Sequence, residues 1–306
     1  MREGVVVGAH SARVPGPGLG RPAARAVRQF LLNRSAVAGA IALSLVLGVA
    51  VLGPMLAPYN PVRVRVSERL RPPGTQHWLG TDQFGRDILS RILVGARPTV
   101  AAPMLAIAIG AVIGTALGTA AGYAGGAADA VLMRLTEILQ AFPGILLALI
   151  VITILGTGLL NVMIAVGISL VPVYARLVRS VMLAVREREY VLAARAIGCS
   201  PAGMLARHML PNVWTQVAVL STTALGWAII AGATLNFLGF GIRPPTPEWG
   251  ADLNVGREYL NAAWWTSTAP GVAIVFVILA IHFVGDGLTE ALDPALRGQD
   301  AGGSGG

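Results

Sequence analysis

Six long apolar segments constrain the fold of this chain more than any other feature. The first would extend about 33 Å as a helix at 1.5 Å per residue, and the hydrocarbon core of a bilayer is about 30 Å thick. In lipid, only helices and closed barrels satisfy every backbone hydrogen bond. We therefore predict an all-α integral membrane protein with six transmembrane helices, at residues 36–57, 99–121, 136–155, 159–179, 216–239 and 268–288.

The composition agrees with a membrane protein and excludes one class of function. Apolar residues make up 55% of the chain and charged residues 12%, against about 25% charged residues in soluble domains. All 23 basic residues are arginine. A P-loop ATPase needs a lysine on the nucleotide phosphates, so an ATPase that drives this chain must be another polypeptide. Cys199 is the only cysteine, which excludes a disulfide within the chain.

The six spans place both termini and a polar hairpin on one side of the membrane. The segments on that side hold 14 arginines and the others nine (23 − 14), a weak bias that favours a cytoplasmic position for the termini. Because these arginines lie in loops, the net charge of +8 does not indicate nucleic-acid binding. The expected parts are a cytoplasmic tail (1–35), the first transmembrane helix (36–57), an extracytoplasmic segment with an amphipathic helix (58–98), a core of five transmembrane helices (99–288) that contains the hairpin 180–215, and a cytoplasmic tail (289–306).

The hairpin contains a structured elbow between two apolar spans. Gly198 can adopt the left-handed conformation that ends a helix. Ser200 is a good N-cap and Pro201 a good first helical residue, so a second short helix should follow and end at Pro211. The first helix should present one apolar face, since its apolar residues recur at i, i+3, i+4 and i+7: Tyr190, Ala193, Ala194 and Ile197.

A second motif precedes the span at 99–121. It reads Gly80-Thr81-Asp82-Gln-Phe-Gly85-Arg86-Asp87, and a short amphipathic helix with an Asp87–Arg91 pair should follow it. Such a helix would lie along the outer membrane surface. We weigh two interpretations, an interfacial helix with a capped start and a docking site or gate for a substrate-binding protein.

The span at 99–121 also carries glycine at every fourth position: Gly110, Gly114, Gly118 and Gly122. Small residues at this spacing let helix backbones approach closely in lipid. The groove could take a neighbouring helix of this chain or a helix of a partner.

The elbow resembles the coupling motif of ABC-importer permeases, Glu-Ala-Ala-x-x-x-Gly-x9-Ile-x-Leu-Pro. The residues in register are Ala193, Ala194, Gly198, Leu210 and Pro211. Leu192 replaces the glutamate and His208 the isoleucine, and His-x-Leu-Pro-Asn is similar to the dipeptide, oligopeptide and nickel branch of the family. Either Glu187 or Glu189 could then supply the acid that contacts the ATPase.

Further segments carry the same resemblance, which covers roughly residues 25–297. The motif at 80–87 is similar to the Gly-Thr-Asp-x-x-Gly-Arg-Asp signature of the C-type permease of the two in such importers. The segments 134–143, 235–250 and 285–294 look like the family's third span, outer loop and C-terminal signature.

The resemblance implies the type I ABC-importer permease fold with a cytoplasmic coupling helix, in the bacterial inner membrane. It also implies a homologous second permease, two ATPase subunits that bind ATP and Mg, an extracytoplasmic substrate-binding protein and surrounding lipid as partners. The chain itself would be no enzyme and would bind no cofactor or metal. The implied ATPase-coupling residues are Glu187, Glu189, Tyr190, Ala193, Ala194, Arg195, Gly198, Ser200, Pro201, Arg207, His208, Leu210 and Pro211.

Several substrates and two other functions stay open. Family members import di- and oligopeptides, nickel chelates, glutathione and some sugars, and we expect peptides. A secondary transporter would need ionisable groups near the membrane midplane, which these spans lack. A membrane scaffold without transport is the remaining alternative. The polar residues Asn161, Thr234 and Asn236 could line a translocation path.

Overall fold

The computed structural model describes residues 22–292, and these residues form a bundle of helices. The tails beyond them, 1–21 and 293–306, lie outside the described residues, as do Asp293 and Pro294 of the C-terminal signature. The helices are α1 Pro22–Leu32, α2 Arg34–Leu56, α3 Ile88–Ala124, α4 Gly126–Gln140, α5 Gly144–Leu155, α6 Leu159–Arg186, α7 Glu189–Ala196, α8 Pro201–Phe237, α9 Trp249–Gly256 and α10 Trp265–Leu292.

Five helices are long and apolar enough to cross a membrane, and a sixth span forms if α4 and α5 are taken together. The predicted all-α membrane fold is thereby confirmed. The predicted span 136–155 is not one straight helix, because α4 and α5 meet at an angle of 90°. The bend follows from Pro143, which has no backbone N–H to donate and disfavours helical geometry at Phe142.

Helix α3 begins eleven residues before the predicted span at 99 (99 − 88 = 11). The prediction of a separate amphipathic helix is wrong, since Ile88 opens α3 itself. Asp87 caps this helix by accepting a hydrogen bond from the Ser90 amide at 2.8 Å. The apolar face of its first turns lies against the segment 58–87 and the start of α10, with Ile88 packing on Trp265.

Helices α3 and α6 form the most extensive helix pair of the bundle. The face of α3 that meets α6 consists of its four regularly spaced glycines. A Cβ atom on Gly114 would lie 2.5 Å from the Cβ of Tyr174 and 2.7 Å from the Val171 carbonyl oxygen. The glycine groove is therefore filled by a helix of the same chain, which decides between the two alternatives.

Helix α8 runs through Pro211, so the expected end of the elbow's second helix at this proline is wrong. Residues Met204–Met209, just before it, are π-helical. A π-helical turn shifts the hydrogen-bond register by one residue, and such local adjustment accommodates proline inside long membrane helices. The elbow is consequently continuous with a membrane span on its C-terminal side.

Candidate functional site

The elbow at residues 187–212 is built as two helices joined by a Schellman turn. Helix α7 ends where Gly198 adopts φ +79°. The Cys199 amide donates to the Ala194 carbonyl at 3.0 Å and the Gly198 amide to the Arg195 carbonyl at 3.1 Å. This pair of hydrogen bonds satisfies carbonyl groups that a helix end leaves free. Ser200 then caps α8 by accepting from the Gly203 amide, with Pro201 as the first helical residue.

The apolar residues of α7 divide between two faces. Val191 and Ala194 are buried against Met204, Met209 and Val213 of α8, which anchors the elbow to the bundle. The face that we expected to be shared by four residues is thus split, because Ala194 turns inward. The other three stay exposed: Tyr190, Ala193 and Ile197.

The outward face of α7 forms an exposed apolar patch. Ile197 is 86% exposed, and Leu192, five residues earlier, is 49% exposed. Contiguous apolar surface of this kind on a polar loop is typical of a site that another protein covers. Leu192, which replaces the motif's glutamate, is also exposed on α7.

Three polar residues tie the two limbs of the elbow together. The Asn212 amide donates to the Tyr190 hydroxyl at 3.1 Å and to the His208 carbonyl at 2.9 Å. The rings of Tyr190 and His208 lie 6.3 Å apart between centroids. A displacement of α7 is therefore passed to α8 through packing and hydrogen bonds at the same place.

The charged residues of the elbow are exposed and unpaired within the described residues. None of them forms an ion pair within the part of the chain that the structure describes. Leu210 is half-buried and Pro211 is exposed at the start of the α8 span. The exposed charged residues are Glu187, Arg188, Glu189, Arg195 and Arg207.

The motif at 80–87 folds as a tight turn immediately before the first residue of α3. Asp82 accepts hydrogen bonds from the amides of Phe84 and Arg86, at 2.8 and 2.9 Å, and pairs with the Arg86 guanidinium at 2.5 Å. Gly80 and Gly85 have φ +77° and +71°. The Thr81 hydroxyl donates to the Glu68 carbonyl and accepts from the Arg71 amide.

These contacts make most of the motif the framework of the 58–98 segment. Burial lowers the pKa of the Arg86 guanidinium, and the neighbouring Arg91 lowers it further against the opposing effect of Asp82. The oppositely charged side chains of Asp82 and Arg86 are both buried. Each charge offsets the desolvation cost of the other, so removing one would leave a buried charge unpaired.

The expected helical pair between Asp87 and Arg91 does not form. Asp87 accepts from the Ser90 hydroxyl at 2.6 Å and lies 2.8 Å from the ring of His77. Arg91 instead makes a bidentate pair with Asp252 and donates to the Pro61 carbonyl. A bidentate carboxylate with further carbonyl acceptors outweighs a single helical pair, so Arg91 clamps α9 onto α3.

Glu248 is a buried acid that sequence reasoning missed. It caps α9 by accepting from the Ala251 amide at 2.8 Å, and it accepts from the Thr99 hydroxyl at 3.1 Å. Burial raises the pKa of this carboxyl, and the same cause raises the pKa of Asp252 against the influence of Arg91. Its position directly before Trp249 and the start of α9 is the only local signal, that of an acidic N-cap.

The structure does not bring the three expected translocation-path residues together. The Asn161 amide donates to the carbonyls of Leu155 and Gly156, and the Asn236 side chain accepts from the Ile242 amide. The Thr234 hydroxyl bonds back to its own helix. Their contacts hold turns and helix ends, and their transport role stays a prediction.

A cavity of about 580 Å³ lies elsewhere, between α4–α5, α6 and α8. Its walls are mostly apolar, with Phe142 and Leu147 on one side and Ala224 on the other. The polar lining residues are Gln140, Ser169, Arg176 and Thr223. Ligand sites commonly have this size and mixed lining. The one signal for it in the sequence is Arg176, near the end of the predicted span 159–179.

Two family models match the chain. The model of the binding-protein-dependent transport system inner membrane component matches residues 114–298, and that of the N-terminal transmembrane domain of oligopeptide transport permease C matches residues 21–73. The chain is 43% identical to the glutathione transport system permease protein GsiD of Escherichia coli strain 536, over 89% of this chain and 90% of the relative. The GsiD protein of Shigella flexneri serotype 5b is 44% identical over the same shares.

Solved structures share the fold at low sequence identity. A structure of the MetNI methionine ABC transporter in an inward-facing conformation matches with a TM-score of 0.53 and 20% identity, covering 66% of this chain and 96% of that one. An amino acid ABC transporter matches with a TM-score of 0.50 and 12% identity, covering 66% and 94%. These likenesses identify the fold.

Proposed function

Because this chain belongs to the family of binding-protein-dependent transport system inner membrane components, as a permease subunit of an ABC importer, we propose that it carries short peptides such as glutathione across the inner membrane. The observation that carries the proposal is the 43% identity with a glutathione permease over nine-tenths of both chains. The match to the oligopeptide permease domain at residues 21–73 favours the wider peptide class.

Coupling to ATP hydrolysis is assigned to the elbow. Its exposed patch would sit in a groove of an ATPase subunit and consists of Tyr190, Ala193 and Ile197. The unpaired charges around the patch would fix the orientation of the elbow on that subunit. ATP and Mg belong to the ATPase subunits, since this chain lacks the lysine of a P-loop. The rigid attachment of α7 to α8 supports the idea that ATPase closure moves a membrane span.

The elbow end, with both termini, is assigned to the cytoplasm. The bias of 14 arginines against nine supports this orientation, because cytoplasmic loops carry an excess of basic residues.

The proposed assembly contains this chain, a homologous second permease, two ATPase subunits and an extracytoplasmic substrate-binding protein. Exposed apolar side chains along α2, α5 and α10, such as Met55, Ile154 and Val272, leave ample surface for lipid and for a second permease. Nickel chelates and sugars remain the alternative cargo within the same machinery.

Co-purification tests the assembly. The tagged chain would be expressed with its genomic neighbours and extracted in detergent, and we expect a second permease and ATPase subunits in stoichiometric amount. Loss of the ATPase from an Ile197→Asp variant, with the second permease retained, would localise the contact to the elbow. The matched control is Leu260→Asp, which alters a half-exposed leucine on the opposite side. Isolation of well-folded chain without any partner would contradict the proposal.

Uptake tests the cargo. The purified complex in proteoliposomes, supplied with its binding protein and ATP, should accumulate labelled glutathione or a tripeptide. Accumulation of a nickel chelate or a sugar in place of every peptide tried would overturn the peptide assignment while leaving the permease function intact.

A further inference from the structure

Arg176 occupies an unusual position in the cavity between α4–α5, α6 and α8. It lies seventeen residues after Leu159 in α6 (176 − 159 = 17), about 26 Å along the helix at 1.5 Å per residue. Its side chain is exposed to the cavity, and no carboxylate among residues 22–292 pairs with it. By contrast Arg179, one turn further on, is held by Asp129 at 2.5 and 2.6 Å.

An arginine inside a membrane span is costly unless it faces protein, water or an anion. The fold supplies an acid for Arg179 but none for Arg176. Arg176 lies near the elbow end of this span, three residues before its predicted end (179 − 176 = 3), and its guanidinium faces the cavity without a partner in the described part of the chain, so it is free to pair with an anionic ligand.

The rest of the cavity lining fits such a ligand. Neither aspartate nor glutamate lines the cavity, so its charge is positive. The Gln140 amide and the Trp227 indole lie on the same walls, and neither donates a hydrogen bond to another residue of the described chain. Gly144 leaves room for the Trp227 ring, since a Cβ atom there would lie 3.0 Å from it. Free donors and an aromatic ring therefore line the same cavity as the guanidinium.

We propose that Arg176 binds the carboxylate of a peptide during its passage through the permease. Guanidinium binds a carboxylate through two parallel hydrogen bonds, which fixes orientation as well as charge. Gln140 and Trp227 are positioned to contact the adjoining peptide groups. The identity of the ligand as a peptide rests on the proposed function. The attraction of the cavity for anions does not depend on that function.

The electrostatic part is tested by thiol labelling of the purified complex. In a Cys199→Ser background, a Ser169→Cys variant would place a thiol in the same cavity. This thiol would be reacted with an anionic and a cationic methanethiosulfonate, and the label on this chain counted by intact mass. A single charge within one or two helical turns should favour the anionic reagent by about tenfold. We expect Arg176→Gln to abolish this preference and Arg176→Lys to keep it.

The matched control is Arg134→Gln, which removes an exposed arginine that does not line the cavity. It should leave the preference unchanged. Equal rates for the two reagents before any change at Arg176 would overturn the proposal, and so would a preference that survives Arg176→Gln.

The carboxylate part is tested by uptake in proteoliposomes at saturating loaded binding protein. Arg176→Gln should lower the maximal rate of tripeptide uptake by about tenfold, the loss expected from one charge-assisted bidentate contact, while ATP hydrolysis remains stimulated by the binding protein. Arg134→Gln should transport normally.

Normal uptake by Arg176→Gln would refute the binding role. An anionic lipid headgroup is the other source of this chemistry, and it predicts a labelling preference that changes with the charge of the liposome lipid and an uptake that does not depend on Arg176. If the unaltered complex transports no peptide, the cargo assignment fails, and the labelling result still decides whether the cavity attracts anions.

Discussion

At the scale of single residues, Glu248 shows how a buried acid can hold two elements in place. Its carboxyl is 1% exposed, yet both oxygens accept hydrogen bonds, one from the amide of α9 and one from Thr99 in α3. Burial disfavours the ionised form more than these donors favour it, so the pKa of Glu248 is raised. The folded state therefore prefers the protonated acid.

This preference predicts a pH dependence of stability. The contribution of the protonated acid is fully present below its ordinary pKa of 4.5, and it is lost as pH rises through the higher pKa of the folded state. Glu248→Gln keeps an oxygen for the Ala251 amide and places an NH2 group against the Thr99 hydroxyl. The variant should gain thermal stability relative to the parent as pH rises from about 5 to about 8.

Melting temperatures of the purified complex across that pH range provide the measurement. Glu258→Gln, which neutralises an exposed acid near the same end of the bundle, should follow the parent curve. A constant difference between Glu248→Gln and the parent at every pH would show that Glu248 is ionised throughout.

The residues that sequence reasoning placed correctly are those whose partners lie nearby in the chain. The left-handed Gly198 and the capping Ser200 need only neighbours within five residues. The partners of Arg91 and Thr99 lie 161 and 149 residues away. Sequence spacing favoured Asp87 as the ion-pair partner of Arg91. Only the fold brings the actual partner, Asp252, within reach.

At the scale of elements, the four glycines of α3 could be recognised from their spacing, but their partner could not. Many helices in a bundle of six present a face that a small-residue groove could take. The structure assigns it to α6, where the backbone of Val171 and the side chain of Tyr174 fill the space above Gly114. The same limit applies to α4 and α5, whose composition predicts a span but not the 90° bend within it.

Close backbone approach makes α3 sensitive to a single methyl group. Gly114→Ala would force α3 and α6 apart, and overpacking of this kind typically costs about 1–3 kcal/mol. We expect a lower melting temperature for the purified complex. Gly48→Ala adds the same methyl group to α2, where nothing lies within 4 Å, and should be neutral. Equal stability of the two variants would contradict the close α3–α6 contact.

At the scale of the whole molecule, the elbow, the spans and the cavity form one mechanical unit. Helix α6 lines the cavity and leads into the elbow, while α8 leaves the elbow and lines the opposite wall. The buried cluster of Val191, Met209 and Val213 joins the elbow to both. Movement of α7 by a bound ATPase is therefore expected to alter the cavity directly, as in rigid-body switches generally.

Gly198 is the position at which this transmission can be tested without removing a contact. No atom lies within 4 Å of a Cβ added there, so a substitution acts only through the strain of φ +79°. Such strain costs about 1–2 kcal/mol for an ordinary side chain, and valine should suffer most. A destabilisation of this size lowers the population of the correct turn by about 5- to 30-fold.

We therefore expect Gly198→Val to insert into the membrane normally but to lose peptide uptake by a similar factor, with ATP hydrolysis either uncoupled from transport or lost with the ATPase. Gly198→Asn is the matched control, because asparagine tolerates the left-handed region and should retain most activity. Uptake and ATP hydrolysis measured on the same proteoliposomes separate the two forms of failure. Normal uptake by Gly198→Val would mean that the turn does not transmit the motion, whereas equal loss in both variants would assign the requirement to the bare glycine surface that the ATPase contacts.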